Sequence, residues 1–130
     1  MTIVVGYIPT PQGEAALTAA IAEARAHDES VLVINMSRDD KLVDPHRADD
    51  DDLTRLDHDL AESGVPHEVR RLEQGTDPAE QILAAAEAEG ARMLVIGIRH
   101  RTPVGKLLLG STAQRLLLDA NCPVLAVKAH

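Results

Sequence analysis

The spacing of the apolar residues constrains this chain more than any other feature. Short apolar runs alternate with longer segments whose apolar residues recur at helical intervals. Residues 3–8 read as a buried strand, closed by the turn signal Pro9-Thr10-Pro11. Residues 14–27 are Ala-rich, with Ala16, Leu17, Ala20, Ile21 and Ala24 on one helical face. Residues 30–36 (SVLVINM) form a second buried run. Leu53, Leu56 and Leu60 mark a second helix, stopped by Gly64-Val65-Pro66. Residues 67–72 make a charged strand suited to a sheet edge. Asp77-Pro78 is an N-cap followed by Pro at the first helical position, opening a helix over 79–89 that ends at Gly90. A strand over 93–96, ending at Gly97, a helix over 111–120 and a strand over 123–128 (PVLAVK) complete the series. Strict β-α alternation predicts an α/β fold, a parallel sheet covered by helices on both faces. With the first strand central and the chain winding first one way and then the other, the order of the five strands is 3-2-1-4-5.

The chain has 130 residues, the size of one domain, and 1–130 is read as one. Apolar residues make up 45% of it, yet there is no Phe, no Trp and one Tyr, Tyr7. The core is therefore aliphatic, and a surface that stacks nucleic-acid bases on aromatic rings is excluded. A net charge of -8 argues against binding to DNA or to anionic membranes. One cysteine, Cys122, permits no internal disulfide and no multi-Cys metal site. The start, Met1-Thr2-Ile3-Val4-Val5, lacks a basic region before its apolar run, and no apolar stretch is long enough to cross a bilayer. A cytoplasmic protein is expected. Residues 37–52, with Asp39, Asp40, Asp44, Asp49, Asp50, Asp51, Asp52 and His46, read as a solvated irregular loop. The glycine and bidentate Glu that a calcium loop of the helix-loop-helix type needs are missing.

Charge is segregated. Residues 1–96 hold 8 basic and 20 acidic residues, a balance of -12; residues 97–130 hold 5 and 1, a balance of +4. Arg99, Arg101 and Lys106 lie in eight residues between the fourth strand and the fourth helix. In open α/β sheets ligands bind at the carboxyl ends of the strands, where the strand order reverses. Here that crevice opens between Ile8-Pro9-Thr10 and Gly97-Ile98-Arg99, and the basic loop falls inside it. Ser111, with Gln114 three residues later, reads as a capping box. Gly110-Ser111-Thr112 then offers backbone N–H groups, two hydroxyls and a close approach to an anion. The same residues also suit ordinary helix capping.

Two catalytic readings fail. HRTPVGKL (100–107) resembles the end of a P-loop, but His100 replaces the first Gly and Leu107 the Ser or Thr after Lys106. No nucleophile elbow or Ser-His-Asp set is legible, and of the six histidines only His100 falls in the crevice. The expectation is a protein that is not an enzyme. Cys122, before Pro123, reads as a buried apolar residue.

VIGIRHRTPVGKLLLGSTAQRLLLDANCPVLAVK, together with the opening VVGYIPTPQGEAAL, resembles the universal stress proteins over essentially the whole length. The resemblance implies a flavodoxin-like or Rossmann-like sheet of the adenine nucleotide alpha hydrolase-like type. It also implies a homodimer joined through the last strand, 123–128. Many members bind ATP, at times with Mg, through Gly-x2-Gly-x9-Gly-Ser/Thr. Gly97 and Gly110-Ser111 match that pattern, while His100 stands at its middle Gly. The Asp that ATP binders carry after the first strand aligns with Ile8, and the adenine site of such relatives is lined by backbone near Met36. The implied site is therefore Ile8, Pro9, Thr10, Met36, Gly97, Arg99, His100, Arg101, Gly110, Ser111 and Thr112. Two functions follow: an ATP-binding regulatory module of the stress response, or a dimeric interaction protein of the same fold that binds no nucleotide.

Overall fold

The computed structural model describes residues 1–36, 45–73, 75–99 and 110–129, with the backbone alone over 45–53. The elements are β1 (Thr2–Tyr7), α1 (Pro11–His27), β2 (Ser30–Asn35), α2 (Pro45–Ser63), β3 (His67–Arg71), α3 (Pro78–Ala88), β4 (Met93–Ile98), α4 (Ser111–Asp119) and β5 (Val124–Lys128). All strand pairs are parallel, in the order β3-β2-β1-β4-β5, as the alternation predicts.

The period of two along each strand divides the core between the faces of the sheet. Ile3, Val5, Tyr7, Val31, Val33 and Val95 pack under α1 and α2, against Ala16, Leu17, Ala20, Ala24, Leu56 and Leu60. Val4, Leu32, Ile34, Leu94 and Ile96 pack under α3 and α4, against Ala79, Ile82, Ala86 and Leu116. The buried face of α1 is mostly alanine, so its backbone lies close to the sheet. The central strands β1, β2 and β4 are almost wholly buried, whereas β3 and β5, at the edges, are half-exposed.

Two helix starts and one helix cap differ from the sequence reading. Helix α1 starts at Pro11, because Thr10 is its N-cap: the Thr10 hydroxyl accepts from the Gly13 N–H at 3.1 Å. Pro11 takes the first helical position, where its missing N–H costs nothing. Helix α2 also starts on a proline, Pro45, so Asp49–Asp52 belong to a helix and not to a loop. Helix α4 is capped by the extended Gly110, with Ser111 its first helical residue and no side-chain cap bond. The expected capping box is thus absent, since Gln114 lies four residues from the cap and donates its backbone N–H to the Gly110 carbonyl. The rest of the expected solvated loop, residues 37–44, lies outside the described residues.

Ionic clusters tie the elements together at both ends of the strands. Arg92, at the start of β4, donates through Nε to both Glu29 oxygens at 2.8 Å and through Nη2 to Glu23 at 3.2 Å. Arg115 of α4 meets Asp77, Glu80 and Asp119, so Asp77 pairs across to α4 rather than capping α3 with its side chain. At the end of β1 the Tyr7 hydroxyl donates to Glu14 at 2.6 Å, and Arg55 of α2 donates to the same carboxylate at 2.8 Å. Tyr7 is 1% exposed. Burial, and the bond to Glu14 that only the protonated phenol can make, push its pKa from 10.0 up to about 12.

A raised pKa in the folded state means that this contribution is complete below pH 10 and is lost as the pH climbs toward 12. The difference corresponds to roughly 2–3 kcal/mol. Urea unfolding followed by circular dichroism should show the protein losing stability between pH 10 and 12, with a shallower loss in Tyr7→Phe. Equal slopes for the two proteins would assign the loss to other groups.

Candidate functional site

Beyond the carboxyl ends of β1 and β4 the sheet opens into a crevice of about 400 Å³, within the range of small-ligand sites. Ile8, Met36, Ile96, Ile98, Ala113 and Leu116 supply its apolar lining. The side chains lining it that can form hydrogen bonds are Gln12, Arg99 and Thr112.

Two glycines set its shape. A Cβ on Gly97 would lie 2.2 Å from the Gln12 carbonyl oxygen. A Cβ on Gly13 would lie 1.8 Å from the Ile8 carbonyl oxygen. The first turn of α1 therefore rests directly on the backbones of β1 and β4. Gly97 was read as a residue that ends a strand; it lies within β4 and serves the approach of α1. Gly110 is different: a Cβ there meets nothing within 4 Å, and its φ of -64° suits any residue. The fold does not require this glycine.

Two sources of positive potential reach the crevice. The first N–H groups of α4, on Ser111, Thr112 and Ala113, precede the first intrahelical bond and have no acceptor within the helix. Arg99 reaches the same crevice. Arg25, Arg55, Arg70, Arg92 and Arg115 each donate to a protein oxygen. No described residue pairs with Arg99. No carboxylate lines the crevice, so a magnesium ion finds none of its preferred protein ligands there among the described residues.

Of the residues expected from the sequence, Ile8, Met36, Gly97, Arg99, Gly110 and Thr112 line the crevice. Pro9, Thr10 and Ser111 do not, and the Thr10 hydroxyl is engaged in the cap of α1. His100, Arg101 and Lys106 lie outside the described residues. The sequence reading missed Gln12, Ile96, Ala113 and Leu116, and it placed Ile98 at the crevice edge without counting it in the site. The strand period from Leu94 points to Ile96 and Ile98, and the helical interval from Thr112 points to Leu116. Gln12 becomes visible once Pro11 is taken as the first helical residue. A smaller cavity of about 200 Å³, lined in part by Leu83, Glu87, Asp119 and Cys122, lies near the carboxyl ends of α3 and α4. Cys122 is half-buried rather than buried as expected; it packs against the core beneath α3 and α4, and that partial burial pushes its thiol up.

Residues 1–128 match the model of the universal stress protein family. The chain belongs to that family. A universal stress protein of Mycolicibacterium smegmatis is 50% identical over 128 residues, 98% of each chain. The solved universal stress protein of Archaeoglobus fulgidus superposes with a TM-score of 0.79 at 30% identity, over 98% of each chain. A structure of the universal stress protein from Archaeoglobus fulgidus in complex with dAMP gives 0.73 at 25% identity, again over 98% of each. These folds have the flavodoxin-like architecture that the strand order describes.

The contrast between the two strand-end glycines is testable. Gly97→Ala should lower stability by about 1–3 kcal/mol, the cost of forcing packed backbones apart. Gly110→Ala should lose less than about 1 kcal/mol. Urea midpoints by circular dichroism report both, and equal losses would contradict the close approach at Gly97.

Proposed function

We propose that the crevice binds an adenine nucleotide, ATP among them, and that this universal stress protein is a nucleotide-dependent regulatory module rather than an enzyme. The observation that carries the reading is the pairing of an apolar slot with a wall of unused donors. A base packs on Ile8, Met36 and Ile96, while phosphate oxygens meet Arg99, the Thr112 hydroxyl and the open N–H groups of α4. His100, Arg101 and Ser111 join the phosphate side in this reading, and Pro9 and Thr10 shape the base side by holding the turn after β1. Phosphate charge is balanced by arginine and helix dipole. The dAMP complex of the Archaeoglobus fulgidus protein supports the choice of an adenine nucleotide. Among the described residues no carboxylate lines the crevice. No helix among the described residues is long and apolar enough to cross a membrane, and a cytoplasmic role accords with the single cysteine.

Calorimetric titration of ATP into wild type and Gly110→Val tests the site. The glycine has open space around it in the folded chain, so the valine variant should fold and lose affinity by about 1–3 kcal/mol through blocked phosphate approach. Unchanged affinity in the folded variant would place the phosphates elsewhere. If wild type binds no adenine nucleotide, the second reading, an interaction protein that binds no nucleotide, takes over; Ile8, in place of a carboxylate, is the residue that favours it.

The same proposal includes a homodimer through residues 123–128. Strand β5 is half-exposed along Val124–Val127 and ends the sheet, an open apolar edge that pairing with its own copy would close. The Leu94 N–H donates to the Pro123 carbonyl, and a parallel ladder repeats every two residues. The Leu125 N–H therefore points to β4 and the Ala126 N–H to the open edge. Ala126→Pro should give a folded monomer and Leu125→Pro should damage the sheet, measured by light scattering on a sizing column. A wild type that elutes as a monomer at micromolar concentration would remove the dimer.

A further inference from the structure

We propose that Gln12 is the residue that recognises the nucleoside half of the ligand, taking the place of a carboxylate that this chain lacks at Ile8. The inference rests on the nucleotide reading and adds to it which group reads the uncharged part.

The argument starts from the first turn of α1. Its early N–H groups have no intrahelical partner. Pro11 has no N–H, the Gly13 N–H donates to the Thr10 hydroxyl, and the Glu14 N–H donates to the Thr10 carbonyl. The Gln12 N–H is the donor left over. The Gln12 side chain is half-buried in the crevice wall, and no described residue hydrogen-bonds to it. An amide with two donors and an acceptor, set in a largely apolar lining, loses its water when a ligand fills the crevice unless that ligand hydrogen-bonds to it.

Its position is also fixed. The Gln12 carbonyl sits where a Gly97 side chain would be, so the residue cannot move away without unpacking α1 from β4. Among the crevice's polar side chains, Arg99 is a cation and Thr112 belongs to the first turn of α4 with its open N–H groups, and both suit an anion. Gln12 is the one amide among them, able to donate and accept at once. The Ile8 and Met36 side chains offer no strong hydrogen bond, so side-chain selectivity for the uncharged part of the ligand falls to the Gln12 amide. A glutamine amide matches adenine, because it accepts from the exocyclic amine while donating to a neighbouring ring nitrogen.

The experiment titrates ATP and, separately, tripolyphosphate into wild type, Gln12→Ala and the nearly isosteric Gln12→Met, with circular dichroism to confirm folding. Both variants should bind ATP roughly three- to tenfold more weakly, the effect of one neutral hydrogen bond, and tripolyphosphate as wild type does. Gln12→Met keeps the side chain's bulk, so a loss common to both variants is a loss of hydrogen bonding and not of packing. ATP affinity equal to wild type in both variants would overturn the role of Gln12 and leave the nucleotide site standing. A matching loss for tripolyphosphate would move Gln12 to the phosphate end and overturn it as well. A wild type that binds neither probe would overturn the nucleotide reading itself.

Discussion

Where α1 begins, three segments of backbone meet with no side chain between them. Gly13 lies on the Ile8 carbonyl and Gly97 lies under the Gln12 carbonyl, each closer than any Cβ would permit. The alanine face of α1 continues this approach along β1 and β4. Because the helix cannot stand further off, the space beyond the two central strands is bounded on one side by Gln12 and on the other by the start of α4. The crevice is a consequence of that contact, and its depth and its polar lining depend on it.

The two ends of the sheet handle charge in opposite ways. At the amino ends of the strands, Arg92 is met by Glu29 and Glu23, and the Glu29 side chain is almost fully buried in that pairing. At the carboxyl ends, Arg99 has no such partner among the described residues, and α4 begins on a glycine that caps none of its first N–H groups. The first arrangement ties β4 to α1 and β2; in the second, a cation with no partner among the described residues and open donors lining the same crevice suit an anion from outside. The sequence carries the same asymmetry, with the acidic residues in the first three-quarters and the basic excess after Gly97.

Much of this was legible in the sequence because it rests on long-range pattern. The aliphatic runs at β1, β2 and β4 are buried on both faces, so they read as continuous apolar strands, and strict alternation with helices leaves few strand orders open. The position of the crevice followed from that order. What escaped was local. Thr10-Pro11 carries the same N-cap and Pro signal as Asp77-Pro78, yet the two prolines around Thr10 also make a turn, and only packing decides between them. Ser111 and Gln114 have the spacing of a capping box, but Gly110 takes the cap one residue earlier. Gly97 looked like the end of a strand because the close approach that demands it comes from a helix more than eighty residues away. Gln12 was invisible for the same reason.

The central claim is that one crevice, between β1 and β4, takes the ligand. The most direct measurement is an NMR titration of the isotope-labelled protein with ATP, following the backbone amides. The account predicts that the largest shifts fall on Gln12, Gly97, Arg99, Gly110 and Thr112. Shifts clustered instead around Leu83, Glu87 and Cys122, or no shift at millimolar ATP, would contradict it.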